Sequence, residues 1–361
     1  GVVWSQQNMD FYGRDAAEQL VELPWRGITQ ALIRSRIPFL PVHADHIERD
    51  AKKFSLLILP NLGAMTDDQV ASVKRYVAGG GNLLATGESS LYNEWGDPRP
   101  DYALSDIFGA HMIGKVPALS EDKNVKLYIE TSHTYLRILP EMRSRTDGPH
   151  NSLEPHASGI RHPVFKGFEE TDILPFGGTL NPIETDKGTE ILMTFIPAFP
   201  IYPPETSWMR VPKTNIPGLV LNKSGLGSRI AFMPADLDRQ FGRHNLPDHG
   251  NLLANIIRWT SYDDFPMLVD GPGLIDCHIY RQGERLVLHF VNLTNAGTWR
   301  QPVDELVPVG PLNIRVRIPE GITGNDISLL VSGKKLTATV NEGWSRFEIN
   351  TVLDHEVVVV L

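Results

Sequence analysis

Three stretches of the 361-residue chain bring together side chains able to do chemistry. The first is the turn Gly87-Glu88-Ser89-Ser90, which follows an apolar run at residues 82–86. In doubly wound sheets, ligands and nucleophiles gather beyond the carboxyl ends of strands, so this turn is where a nucleophile would sit. Gly87-Glu88-Ser89 begins like G-x-S-x-G, the strained elbow of serine hydrolases, but Leu91 replaces the closing glycine. The plainer reading is that Ser89 and Ser90 only terminate the strand.

The second stretch, PADLDRQFGRHNLPDHG at residues 234–250, holds Asp236, Asp238, Arg239, Arg243, His244, Asp248 and His249 between a buried strand and a helix. Asp236, Asp238, His244 and His249 combine carboxylate with imidazole, which suits zinc or manganese. Their spacing matches no zinc signature, so no metal is assigned and ion pairs or a protein contact are the favoured role. The third stretch, FIPAFPIYPPETSWMR at residues 195–210, carries Phe199, Tyr202 and Trp208 on a proline-stiffened loop, with Glu205 and Arg210 beside them. Such rings can stack on a sugar while the charged groups bond its hydroxyls. They also suit a protein interface, being rich in apolar area at low entropic cost, and that reading is favoured. A polar loop at residues 6–18, with Gln7, Asn8, Asp10, Tyr12 and Arg14, belongs with this group.

Other signals are weaker. Cys277, the single cysteine, lies among Ile275 and Ile279 in an apolar run and reads as a small buried hydrophobe. It excludes an intramolecular disulfide and leaves the compartment open. Asn222-Lys223-Ser224 and Asn292-Leu293-Thr294 fit the glycosylation pattern, which arises often by chance. His43 and His46 flank Asp45 at a strand end and read as locally satisfied. A net charge of −9 argues against a nucleic-acid partner, which requires a basic face. No apolar run is long enough to span a bilayer, so no membrane partner is expected. No cofactor is assigned.

The elements that must position these residues are legible from pattern. Residues 54–88 read as strand, helix and strand, a complete crossover unit. Residues 55–59 form a continuous apolar run ending at Pro60. Thr66-Asp67-Asp68-Gln69 is a capping box, Val70, Val73 and Val77 give the helix an apolar face, and Gly79-Gly80-Gly81 stops it before a strand at 82–86. Upstream, residues 1–5 read as a strand, 25–36 as a helix with Ile28, Leu32 and Ile33, and 39–42 as a strand. The pattern predicts a parallel sheet with helices on its faces. Residues 102–108 read as a short helix, and 174–184, 189–195, 219–221 and 228–233 as strands. A closing helix at 250–260 places the end of an α/β domain near residue 264.

The remainder, 265–361, differs in kind. Short runs rich in Val, Ile and Leu at 274–280, 285–293, 312–318, 327–331, 335–340, 345–349 and 355–361 alternate with turns at Gln282-Gly283, Ser332-Gly333 and Glu342-Gly343. That spacing predicts a small all-β sandwich. Two domains also fit the length, since one core seldom supports this many residues.

The order of parts resembles the C-terminal portion of β-galactosidase-like glycoside hydrolases. The residues that carry the resemblance are LLILPNLGAMTDDQV at 56–70, VKRYVAGGGNLLATGES at 73–89, HPVFKGF at 162–168, GSRIAFMPADL at 227–237 and IIRWTS at 256–261. In those enzymes a catalytic barrel precedes a class I glutamine-amidotransferase-like α/β domain, called the trimerisation domain, and a small β-domain. The resemblance implies a flavodoxin-like, amidotransferase-like parallel sheet over residues 1–264 and a β-sandwich over 265–361. It puts the two catalytic carboxylates on the barrel, whose ~250 residues this chain lacks. An amidotransferase needs a cysteine nucleophile on the turn after the central strand, and the turn here is Thr86-Gly87-Glu88-Ser89. The implied role is assembly and support without catalysis, as a homo-oligomer partnered with the barrel of the same parent protein, the chain being a piece of something longer. A free-standing carbohydrate-binding or sugar-utilisation protein is the alternative, with a carbohydrate ligand on the aromatic and Asp/His loops.

Overall fold

Strands buried on both faces set the centre of the first sheet. The computed structural model describes residues 1–113, 133–143, 160–209, 211–295 and 305–361. It divides into two compact units, Gly1–Thr29 with Leu40–Asp263 and Gln30–Phe39 with Asp264–Leu361.

In the first unit the strands are β1 (Val2–Trp4), β2 (Pro41–His43), β3 (Leu56–Leu59), β4 (Asn82–Thr86), β5 (Ala110–Met112), β6 (Tyr135–Ile138), β7 (Ile173–Pro175), β8 (Ile183–Thr185), β9 (Glu190–Ile196), β10 (Pro217–Ser224) and β11 (Ser228–Met233). The helices are α1 (Leu23–Arg34), whose end belongs to the second unit, α2 (Ile47–Asp50), α3 (Asp67–Ala78), α4 (Ser105–Phe108), α5 (Leu237–His244) and α6 (Pro247–Thr260). Every residue of β3 and β4 is buried, as a strand covered by helices on both faces requires. Leu57, Leu59, Leu83 and Ala85 enter a core with Val70, Val73 and Val77 of α3 and Phe232 of β11. The capping box forms: Gln69 N donates to Thr66 Oγ1 and Thr66 N to Gln69 Oε1, each at 3.0 Å.

The nine-stranded sheet runs β2-β1-β3-β4-β11-β10-β9-β6-β7. Its first five strands are parallel, and the remainder is antiparallel, so the sheet is mixed rather than parallel throughout. The cause is local. Gly225, Leu226 and Gly227 join β10 to β11 in a turn too short for a crossover, and both glycines take positive φ. The expected strand at 174–184 is two strands, β7 in the large sheet and β8 paired with β5, because Gly177, Gly178 and Pro182 interrupt it. Two expected loops are helical. Asn8–Gly13, Arg14–Ala16 and Glu18–Glu22 form successive helical turns leading into α1, and α5 lies within the Asp/His stretch.

α5 is held against α1 by a glycine crossing. A Cβ on Gly27 would lie 1.9 Å from the Asp238 carbonyl oxygen, and one on Gly242 would lie 2.2 Å from that of Leu23. Only bare backbones fit this approach, which fixes where Asp238 and Arg239 sit.

In the second unit, β12 (Met267–Asp270), β15 (Leu312–Arg317), β19 (Trp344–Ile349) and β18 (Thr339–Asn341) form one antiparallel sheet. β13 (Ile275–Gln282), β14 (Arg285–Asn292), β20 (His355–Val360), β16 (Asp326–Leu329) and β17 (Lys335–Thr337) form the other. Burial alternates strictly along β15, and inward residues of both sheets share one core that includes Ile314, Phe347, Leu288 and Val358. The run expected at 335–340 divides between the two sheets as β17 and β18. Arg36 donates to the carbonyls of Val269, Gly271, Pro272 and Gly273, tying residues 30–39 to this unit.

Candidate functional site

Strand direction gathers the candidates of the first unit on one edge. β9 is antiparallel to β10, which is antiparallel to β11, so β9 points the same way as β11 and β4. By the same reasoning β7 shares that direction. The turn after β4, the Asp stretch after β11, the aromatic loop after β9 and residues 176–181 after β7 therefore all leave the carboxyl edge, where open α/β sheets collect ligands.

The turn after β4 is tightly built. Gly87 takes φ +57°, and a Cβ there would meet Asn61 Oδ1 at 2.3 Å. Ser90 also takes positive φ, at 69°. Ser89 is fully buried: its hydroxyl donates to the Thr86 carbonyl at 2.8 Å, has the Leu59 carbonyl at 3.1 Å, and accepts from Leu62 N at 3.0 Å. An exposed, base-activated nucleophile needs neither of these properties, so Ser89 here is a tie between β3 and β4. Ser90 Oγ accepts from Leu104 N at 3.2 Å in the same way. Cys277 is buried in β13, and burial pushes its thiol up to about 12, so no thiolate forms at neutral pH.

Glu88 is the half-buried residue of the turn. Tyr12 Oη donates to Glu88 Oε2 at 2.6 Å, and Asn181 Nδ2 reaches Oε1 at 3.3 Å. Asn61 organises the group: its backbone N donates to Thr86 Oγ1 at 2.9 Å, its Oδ1 accepts from Glu88 N at 2.7 Å, and its Nδ2 donates to Tyr12 Oη at 3.0 Å and the Leu20 carbonyl at 2.7 Å. Burial, then the Glu88 charge, raises the phenols of Tyr12, Tyr92 and Tyr102. Sequence reading found Tyr12 and Glu88 separately, but it missed Asn61, Tyr92, Tyr102 and Asn181. The one available signal was Pro60-Asn61 directly after a buried strand, a position where asparagine tolerates the φ of +43° it adopts.

The Asp/His stretch comes apart. Asp236 and Asp238 are buried at the edge. Asp236 accepts from Thr179 Oγ1 at 2.6 Å, Thr179 N at 3.0 Å and Arg239 Nε at 2.6 Å. Asp238 accepts from Thr86 Oγ1 at 2.5 Å and Arg239 N at 2.9 Å. Burial pushes Asp236 up to about 7, against the pull of Arg239, and Asp238 up to about 6. Arg243 and His244 are exposed at the far end of α5, and His249 is buried with Nε2 on the Pro175 carbonyl at 2.6 Å. Asp236 and Asp238 thus stand at the start of α5 and His244 at its end, while His249 belongs to α6. Among the described residues no three His, Cys, Asp or Glu side chains gather as a metal site.

On the aromatic loop, Phe199 stacks on Tyr135 at 5.3 Å between centroids. Tyr202 is 81% exposed and Trp208 41%. Ile201 is exposed beside them, and Arg210 lies outside the described residues. Both glycosylation-pattern asparagines are engaged by the fold. Asn222 Nδ2 donates to the Ile107 carbonyl at 2.9 Å, and Asn292 Nδ2 to those of Val307 and Leu353 at 2.7 and 2.8 Å.

No protein family and no curated protein matches the chain by sequence. Solved structures do match by fold. α-L-Fucosidase isoenzyme 2 from Paenibacillus thiaminolyticus superposes over 93% of this chain and 44% of its own, with a TM-score of 0.64 at 16% identity. The β-galactosidase from Bacillus circulans sp. alkalophilus covers 94% of this chain and 37% of its own, with a TM-score of 0.55 at 15% identity. Gan42B, a GH42 β-galactosidase from G. stearothermophilus, covers 99% and 40%, with a TM-score of 0.55 at 14% identity. The chain spans less than half the length of each of these structures. Over nearly all of its described architecture, an α/β unit with a large mixed sheet followed by antiparallel β-sheets, it has a fold found in glycoside hydrolases.

Proposed function

We propose that this chain is the non-catalytic C-terminal assembly and support region of a β-galactosidase-like glycoside hydrolase. Its α/β unit is an amidotransferase-like, flavodoxin-like trimerisation domain over residues 1–264, followed by a β-sandwich over 265–361. The observation that carries this reading is the turn after β4, where the hydroxyl of Ser89 is spent on backbone ties and no cysteine is present. The fold likeness to glycosidases over part of their length supports it. The aromatic loop around Tyr202 and Trp208 is the contact surface toward the catalytic barrel of the parent protein or a second copy, because exposed aromatics cluster at interfaces. The test is twofold. The chain alone turns over no aryl galactoside, and light scattering after gel filtration shows a dimer or trimer. Mutation-sensitive hydrolysis would sink the first part, and a strict monomer at high concentration the second.

A second reading is a free-standing carbohydrate-binding protein using the aromatic loop. It is favoured by the exposure of Tyr202 and Trp208 and predicts calorimetric binding of galactosides that Trp208→Ala abolishes.

A further inference from the structure

The amino edge of the large sheet, where β3 and β4 begin, carries a cleft that a support role does not explain. It encloses about 520 Å³ beside α2 and the end of α3, and its lining includes Glu48, Lys52, Phe54, Ser55, Arg75 and Tyr76, with Gly79, Gly80 and Gly81 next to them. That volume lies within the ~300–1,000 Å³ usual for small-molecule sites. The walls are fixed to the fold. Tyr76 Oη donates to the Phe54 carbonyl at 3.1 Å, and Asn82 Nδ2 to the Ser55 carbonyl at 2.8 Å. Phe54 and Tyr76 are half-buried and pack against the core of this unit. Glu48, Lys52, Ser55 and Arg75 are exposed, so the cleft opens to solvent.

The polar groups of the cleft are unevenly spent. Arg75 Nε donates to Glu48 Oε2 at 2.7 Å and Nη2 to Ser72 Oγ at 3.1 Å, so the pair cancels in charge while Arg75 Nη1 stays free to donate and Glu48 keeps lone pairs to spare. Lys52 has no ion-pair partner among the described residues, in contrast to Lys53, which Asp50 holds at 2.7 Å. The Ser55 hydroxyl likewise has no hydrogen bond among the described residues. The lining therefore offers one uncompensated positive charge, further N–H donors, a carboxylate and a hydroxyl beside two aromatic rings. The N–H groups of Gly79, Gly80 and Gly81 are turned back onto the carbonyls of Arg75, Val77 and Tyr76 at 3.0, 2.9 and 3.0 Å, so a phosphate finds no backbone nest here. A neutral sugar uses the hydroxyl partners but not the charge, and a simple carboxylate uses the charge but not Glu48. A sugar acid uses both. We propose that this cleft binds a sugar acid, a polyhydroxylated monocarboxylate, with Lys52 and Arg75 taking the carboxylate and Glu48 and Ser55 the hydroxyls.

The experiment is calorimetric titration of the whole chain with sodium D-glucuronate at constant ionic strength, alongside galactose and sodium acetate. The expected result is saturable binding of glucuronate in the millimolar range, with galactose and acetate about tenfold weaker or more. Lys52→Met, which removes the charge from an exposed side chain and keeps its length, is expected to weaken glucuronate binding by about tenfold or more. Lys53→Met, outside the lining, is expected to leave it unchanged. Failure of glucuronate to saturate, equal binding of galactose or acetate, unchanged affinity in Lys52→Met, or an equal loss in Lys53→Met overturns the proposal. Should Lys52→Met not fold, as judged by circular dichroism, Ser55→Ala decides instead: binding weakened by about threefold or more supports the site and unchanged affinity overturns it. None of these outcomes depends on whether the chain assembles with a catalytic barrel, so this site and the support role fail separately.

Discussion

Two loops leave the same edge of the same sheet, three strand spacings or about 14 Å apart, and they are built on opposite principles. The turn after β4 turns its polar groups inward, with Ser89, Thr86 and Asp238 buried and bonded to backbone or to one another. The loop after β9 turns its large side chains outward, with Ile201, Tyr202 and Trp208 exposed. Position on a carboxyl edge therefore does not by itself make a reactive site. A group that must react has to be both accessible and incompletely satisfied, and at the β4 turn Glu88 comes nearer to this than Ser89 does.

That contrast can be broken at several points. The largest effect is expected from Asp236→Ala, which removes the carboxylate facing buried Arg239 and should cost about 3 kcal/mol in urea unfolding. A loss well under 1 kcal/mol would show that the inward network is not what holds the edge. The pH dependence comes next. Asp236 and Asp238 are raised from 3.8 to about 7 and about 6, so the neutral forms favour the folded state. Their contribution is complete below pH 3.8 and is lost as pH climbs through 6 and 7. Asp238→Asn should flatten the fall in melting temperature across that window, the titration of one such carboxyl amounting to on the order of 3 kcal/mol. An identical slope in the variant would refute the assignment. Ser89→Ala leaves Leu62 N without its acceptor and should destabilise by about 1 kcal/mol, with no change in any hydrolytic background. Smallest of all, Tyr202→Ala should leave unfolding within about 0.5 kcal/mol of the parent while shifting the self-association seen by sedimentation. A large stability loss there would mean that the ring packs inward.

Much of this architecture is local and could be read from the chain. The Thr66–Gln69 capping box, the glycines after α3 and the apolar runs of β3 and β4 each depend on residues within a few positions of one another. The alternation along β15 and β20 is equally local. The antiparallel half of the sheet was less legible, because its direction hinges on the short Gly225–Gly227 connection and not on strand composition. Helix α5 was hidden because Asp238, Arg239 and Gln240 are buried polar residues, so its pattern of polarity misstates which face is covered. The grouping around Glu88 joins residues after β1, β3, β4 and β7, and no spacing along the chain announces it.

Asn61 gives that grouping a further meaning. One amide, with its own backbone N–H, serves Glu88, Tyr12, Leu20 and Thr86 and so fastens three successive loops. Replacing Glu88 would in turn withdraw the acceptor that anchors Tyr12 and the loop leading into α1. A single substitution at this turn would therefore loosen several loops of the edge together.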